Sequence, residues 1–391
     1  MPDLDGLRVL AFCDYWSPRS PGGSERVAAE IYRRLAAWGA KIVVVGGVPR
    51  HLSGGDDGSV PGLDVVQLPA ADLSGLLGVQ ASISTRLPLR AFALGDRFAP
   101  DVVTTQGIHF FGSLIAAGYQ FRRRVPLVTT VHVAGVEDLP ALVRLPTSCY
   151  ERTVGRLILT RSSSVIAVSE AVRSHLVSLV GGRPVHVIPN GVDRESFSRG
   201  ARHDRDPPHI VFVGRLIANK GPETLVAALA SIHQVGIGFR ATFIGDGPLR
   251  PALVRAVEGA RLAEHIEFTG VVSDVPDRLK GADVFVRPSS SEGMSLAVLE
   301  AMSAGLCIIA SNIPANAGLV ADGVTGLLCP PGDHELLAQR LRAVLLDSQL
   351  RHRLADGAHR AAAIYSWDRT ARETAAVLLG SRHTGVHPAH R

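Results

Sequence analysis

The sequence predicts an α/β protein built from two doubly wound parallel sheets, and three observations carry that prediction. Short apolar runs alternate with segments of helical spacing along the chain. The alternation stops at a polar, proline-containing stretch, 198–209 (SRGARHDRDPPH), and then begins again. The 391 residues are too many for one typical domain and suit two. Apolar strands separated by helices imply parallel sheets covered on both faces.

The first half opens with residues 7–12, a short apolar strand. Gly22-Gly23 leads into a helix over 24–38, where Val27, Ala28, Ile31, Leu35 and Trp38 recur at helical spacing. Further strands are expected at 41–45, 64–68, 101–105, 127–132, 164–168 and 185–188, with helices at 112–121, 149–160 and 170–179. The second half repeats the pattern. Strands are expected at 210–213, 241–244, 266–268, 284–287, 307–310 and 326–329. Helices are expected at 223–233, 249–259, 275–280, 297–303 and 333–346. Ser366-Trp367-Asp368 caps a last helix over 369–379, and the His- and Gly-rich tail is expected to be disordered. The boundaries expected are therefore a first domain 1–197, a linker 198–209, a second domain 210–365, a closing helix 366–380 and a tail 381–391.

Composition removes several classes. No apolar run is long enough to cross a bilayer, and MPDLDGLRVLAF is too acidic for a secretory signal. Cys13, Cys149, Cys307 and Cys329 are scattered without CxxC spacing and read as core thiols of a reducing cytoplasm. Net charge is +5, yet residues 86–173 hold eleven Arg against six acids. That excess reads as a solvated face or as attraction to an anionic acceptor or the inner membrane surface. Nucleic acid is not expected, because no aromatic residues interleave the arginines.

Ligands of open α/β sheets bind beyond the carboxyl ends of the strands, and four stretches collect there. Glu292-Gly293-Met294-Ser295-Leu296 follows a strand and opens a helix that carries Glu300 on an apolar run. Free N–H groups at the helix start suit phosphate, and the two carboxylates suit hydroxyls. A helix-end charge and an exposed surface glutamate are the plain alternatives. Gly214-Arg215-Leu216-Ile217-Ala218-Asn219-Lys220-Gly221 places two cations in a Gly-bounded loop, able to flank a diphosphate. Lys220 is one of only three lysines in the chain. Gly22-Gly23 allows backbone to approach an anion, or is a simple turn. His132 closes a strand, placed to donate to a sugar hydroxyl or phosphate, or simply a structural histidine. Gly245-Asp246-Gly247-Pro248-Leu249-Arg250 is a poor dinucleotide fingerprint, and Asp204-Arg205-Asp206 lies in the linker rather than after a strand.

Taken together, PGGSE, VIPNGVD, GRLIANKG, IGDGPLR, FTG, SSSEGMSLAVLEAMSAG and YSWDRTA resemble retaining glycosyltransferases of family 4, with the GT-B architecture. The resemblance implies two Rossmann-like domains facing across a cleft, the first taking the acceptor and the second the donor. The last helix would cross back to the first domain. It implies an enzyme moving a hexosyl-type sugar from a UDP- or GDP-linked donor to a saccharide, lipid or small metabolite, in carbohydrate or secondary-metabolite biosynthesis. No cofactor or metal is implied. Arg215 and Lys220 would hold the diphosphate, Glu300 the ribose and Glu292 the sugar. Met294, Ser295 and Leu296 would offer backbone N–H groups, with Gly22 and Gly23 against the diphosphate and His132 against the sugar. With no better nucleophile than Glu292, the expected mechanism is front-face, led by leaving-group stabilisation. Closure of the domains would exclude water. A non-catalytic nucleotide-sugar-binding protein and a sugar-nucleotide epimerase of similar architecture are the alternatives.

Overall fold

A computed structural model describes residues 2–16, 22–52, 61–73, 82–133, 141–200 and 206–384. The chain divides into two compact units, Met1–Asn190 with Trp367–Arg391 and Gly191–Ser366. The division precedes the expected linker. Residues 191–200 pack within the second unit: Val192 bridges to Ser366 and Arg199 pairs with Asp356 at 2.7 Å. Residues 204 and 205 of the rejected linker motif lie outside the described residues.

The first unit runs β1 (Arg8–Phe12), α1 (Gly23–Ala37), β2 (Lys41–Pro49), β3 (Leu63–Asp72), β4 (Ser82–Ile83), α2 (Leu87–Phe98), β5 (Val102–Gln106) and α3 (Phe111–Arg123). It continues with β6 (Leu127–Val131), α4 (Ala141–Tyr150), a π-helical turn (Glu151–Gly155), α5 (Arg156–Arg161), β7 (Ser164–Ala167), α6 (Glu170–Leu176) and β8 (Val185–Val187). Its eight strands lie in the order β4-β3-β2-β1-β5-β6-β7-β8, parallel except for the β3–β4 pair. Strands β5 and β6 are buried throughout, as helices on both faces require. Sequence periodicity misses β4, which is two residues long, and α2, whose buried positions Leu87, Ala91 and Gly95 are mostly small.

The second unit runs β9 (His209–Val213), α7 (Pro222–Gln234), β10 (Arg240–Ile244), α8 (Arg250–Gly259), β11 (Ile266–Gly270), α9 (Val275–Lys280) and β12 (Val284–Arg287). After these come α10 (Leu296–Ser303), β13 (Cys307–Ser311), α11 (Pro314–Ala317), β14 (Leu327–Cys329), α12 (His334–Leu346) and α13 (Ser348–Ala361). The strand order is β11-β10-β9-β12-β13-β14, every pair parallel. Phe212, Phe243, Leu225, Leu229 and Leu341 fill one core between sheet and helices. Helix α13 escapes the sequence reading because it is rich in polar residues. It is capped by Asp347, which accepts from Leu350 N–H at 2.9 Å, and anchored by buried Arg351, which donates to Val344 O at 2.7 Å.

The last helix, α14 (Trp367–Thr384), belongs to the first unit. Trp367, Ala371, Ala375 and Leu378 are buried, Asp368 accepts from Arg34 at 2.7 Å, and Thr370 Oγ1 donates to Pro189 O at 2.7 Å. It passes both the expected end at 379 and the start of the expected tail at 381. Contacts hold it there: Ser381 Oγ lies 3.3 Å from Ser164 Oγ, and Arg382 is 3.7 Å from Asp101. His387 and His390 lie outside the described residues. Three cysteines are buried as expected, whereas Cys149 is exposed on α4.

In each sheet the strand order reverses once, between β1 and β5 in the first unit and between β9 and β12 in the second. Loops leaving such neighbouring strands diverge and open a crevice for a ligand.

Candidate active site

At the second unit's switch point, the loop after β9 carries Arg215 and Lys220 and the loop after β12 carries Glu292. Two glycines let these loops meet. Gly214 has φ +155°, and a Cβ there would lie 2.5 Å from Arg287 Nη1. Gly221 has φ +67°, and its Cβ would lie 2.1 Å from Pro288 O. A side chain at Gly221 would push the loops apart, and one at Gly214 would displace the Arg287 guanidinium. Ser290 N–H then joins them by donating to Asn219 O at 3.0 Å.

Glu292 is the hub of this junction. Oε2 accepts from Lys220 Nζ at 2.8 Å. Oε1 accepts from Arg287 Nε at 2.9 Å, from Arg287 Nη2 at 2.5 Å and from Ser289 Oγ at 2.9 Å. Arg287 also donates Nη1 to Val213 O at 2.8 Å, stitching β12 to β9. The Glu292 side chain is 8% exposed and that of Arg287 6%. Burial alone would raise the carboxyl pKa, but Arg287 and Lys220 outweigh it and hold Glu292 at about 2. Burial also pulls the Lys220 ammonium below its usual range, against the opposing pull of Glu292. A carboxylate buried this deeply without its cations would be untenable.

Arg215 differs from its neighbours. It is exposed, and its guanidinium has no hydrogen bond or ion pair among the described residues. Its charge reaches Lys220, so two cations border the loop and one of them is unengaged.

Ser295 is the N-cap of α10, its Oγ accepting from Val298 N–H at 3.4 Å. The N–H groups of Ser295, Leu296 and Ala297 have no acceptor among the described residues. They are the donors expected at a helix start. Met294 is buried just before them, and Glu300 is buried on α10, 5% exposed. This excludes the plain alternative of a surface glutamate. Glu292 itself lies in the loop before the cap, not in the helix.

The first unit carries Gly22, Gly23 and His132. Gly22 is the N-cap of α1, which starts at Gly23, and as a glycine it has no side chain to cap with. Pro21 lies outside the described residues. His132 follows β6 and lies 2.7 Å from Gln106 Oε1, while Gln106 Nε2 donates to Tyr32 Oη at 2.6 Å. With that amide orientation the imidazole donates through Nε2, which leaves Nδ1 an acceptor. Burial lowers the His132 pKa to about 4, so the ring is neutral at pH 7. The expected donor to a sugar hydroxyl is thus, in its neutral form, an acceptor. The seven predicted residues of the second unit, Arg215, Lys220, Glu292, Met294, Ser295, Leu296 and Glu300, lie at one junction or on the helix that follows it.

Sequence reasoning missed Arg287, Ser289 and Asp14. For Arg287 the signal was present: a charge ending the apolar run Val284–Arg287, directly before a proline. Asp14, after β1, accepts from Gly47 N–H and Gly112 N–H at 2.8 Å each. Burial lifts its carboxyl to about 6, these two bonds opposing.

Two Rossmann-like units, with cations and helix-end N–H groups gathered at one switch point, define the GT-B class of glycosyltransferase. Two family models divide the chain between them: Glycosyltransferase Family 4 over residues 21–196 and Glycosyl transferases group 1 over 193–361. Among curated relatives, the D-inositol 3-phosphate glycosyltransferase of Xylanimonas cellulosilytica is 30% identical, covering 97% of this chain and 97% of its own. Glycogen synthase of Mycobacterium tuberculosis is 28% identical over 98% of this chain and 97% of its own. Among solved structures, sucrose-phosphate synthase from Thermosynechococcus elongatus shares the fold at TM-score 0.78 and 20% identity, over 96% of this chain and 98% of its own. Anabaena Alr3699/HepE in complex with UDP-glucose does so at 0.73 and 20%, over 96% of this chain and 100% of its own. The chain belongs to glycosyltransferase family 4 and is a glycosyltransferase.

Proposed function

We propose that this glycosyltransferase moves a sugar from a nucleoside-diphosphate donor, UDP- or GDP-linked, to an acceptor hydroxyl on a saccharide, lipid or small metabolite. We propose further that it does so with retention and without a metal. The observation that carries the reading is the unengaged guanidinium of Arg215 beside Lys220, with the free N–H groups of Ser295, Leu296 and Ala297 at the same switch point. These donors match a diphosphate, and the neighbour solved with UDP-glucose supports that ligand class.

In this reading Arg215 and Lys220 take up the negative charge that develops as the sugar leaves the diphosphate. They supply the positive charge a metal would bring. Glu300 accepts from the ribose hydroxyls. Glu292 has one Oε2 acceptor site beyond Lys220, enough for one sugar hydroxyl. Held ionised near pKa 2 and bonded to two cations, it is a weak base and a weak nucleophile. Retention then follows from a front-face route: the departing phosphate oxygen takes the acceptor's proton while the acceptor oxygen bonds the anomeric carbon on the same face. Gly22 and Gly23 contribute backbone to the diphosphate, and Nδ1 of neutral His132 accepts from a sugar hydroxyl.

Thermal denaturation with UDP, GDP, UDP-glucose and GDP-mannose, each with and without EDTA, tests this. At 100 times Kd a native-state ligand adds about 2.7 kcal/mol. The wild type should shift with one nucleotide family, and Lys220→Ala should stay folded and lose the shift. No shift across the panel overturns the reading, and a shift abolished by EDTA overturns its metal-free part.

A further inference from the structure

Helices α3 and α5 of the first unit pack side by side, with the Arg161 guanidinium 4.3 Å over the Phe121 ring. Their outer faces are apolar and basic together. Phe121 is 66% exposed, Leu145 on α4 74%, Leu157 on α5 47% and Leu114 on α3 38%. Arg122, Arg123 and Arg124 at the end of α3, Arg144 on α4, Arg152 in the π-helical turn and Arg156 on α5 are exposed as well. Over 111–124 and 144–161 there is one acid, Glu151, and it is buried, paired with His109 at 2.9 Å and with His175 at 3.5 Å. Among the described residues, Arg123 alone of these arginines has an acidic partner, Asp96 of α2.

Large apolar side chains are costly to leave in water, and clustered like charges repel one another. Their combination on one helical surface fits an environment with anions at its surface and apolar material just beneath. We propose that this face docks the first unit on an anionic lipid bilayer, with Phe121, Leu145 and Leu157 entering the headgroup boundary and the arginines meeting lipid phosphates. A protein partner with an acidic groove would need apolar pockets at the same spacing, whereas a bilayer supplies both at every point. No helix of the described residues is long and apolar enough to cross a membrane, so the contact is a surface one. The inference does not rest on the donor-site reading.

The test is flotation of the full chain with phosphatidylcholine vesicles and with vesicles containing phosphatidylglycerol. Binding is expected to the anionic vesicles only, and to weaken as salt rises. Arg122→Glu with Arg124→Glu should lower the partition at least tenfold, as about fivefold per lost arginine would give. Phe121→Ser with Leu157→Ser should also lower it, and Arg33→Glu on α1 should cost less than half as much as one reversal in the patch. Every variant is first shown to keep the wild-type circular dichroism and thermal unfolding midpoint, so that lost vesicle binding is not lost fold. Equal binding to neutral vesicles, or none to either, overturns the proposal. So does self-association that the Phe121 and Leu157 substitutions abolish without any vesicle binding.

Discussion

The two switch points are built alike in backbone and differ in how their charges are partnered. In the second unit the loops after β9 and β12 are locked by an ionic cluster in which Lys220 and Arg287 share one buried carboxylate, Glu292. In the first unit the equivalent region is held by neutral bonds, His132 to Gln106 to Tyr32, and by Asp14 accepting from two backbone N–H groups. An ionic lock holds loops rigidly over a charged ligand without reorganising when it binds. The His132–Gln106–Tyr32 network holds side chains in place without adding charge, and the carboxylate there, Asp14, is held by backbone N–H groups rather than by cations. In the proposed function the second unit is the one that carries the diphosphate.

The largest break in the comparison should come from Arg287→Leu. Removing one partner of a buried ion pair leaves an uncompensated charge, at a cost of about 3–5 kcal/mol. Urea denaturation should show that loss, and a cost under about 1 kcal/mol would mean Lys220 alone neutralises Glu292.

A smaller effect belongs to His132. Its folded pKa of about 4 lies below its unfolded value, so the unfolded chain binds more protons between pH 6.5 and 4. Stability from this group therefore falls as pH drops through that window. His132→Gln should gain on wild type by about 2 kcal/mol by pH 4, a figure discounted because the ring is only half-buried. Asp14, raised to about 6, pulls the wild-type profile in the opposite direction. The difference between variant and wild type is the quantity to read. A flat difference would show that the ring is already protonated or solvated in the native state.

The smallest effect should be Ser289→Ala. It removes a neutral donor from a carboxylate that keeps both cations, so the expected cost is about 1 kcal/mol. A loss as large as that of Arg287→Leu would show that hydrogen-bond geometry, not charge, holds the junction.

Much of this was legible in the sequence because it depends on local pattern. Apolar runs of strand length, helical spacing and Gly-bounded loops predicted two parallel sheets and placed Arg215, Lys220, Glu292 and Glu300 after strands. The elements missed were those whose pattern is weak: two-residue β4, small-residue α2 and polar α13. The limits of the closing helix were misjudged as well, since Ser381 and Arg382 are ordered by residues far away in sequence.

What the sequence determined alone was the set of chemical groups and the strands they follow, since both depend on neighbours within a few positions. Only tertiary structure decided how those groups are spent. Parallel order puts β9 beside β12, which brings Lys220 to Glu292 across 72 residues and Val213 to Arg287 across 74. That pairing turned Glu292 from an available carboxylate into the counter-ion of two cations. Burial keeps His132 neutral, so that with Nε2 donating to Gln106 its Nδ1 is an acceptor. Both effects come from desolvation and long-range proximity, which no local pattern records.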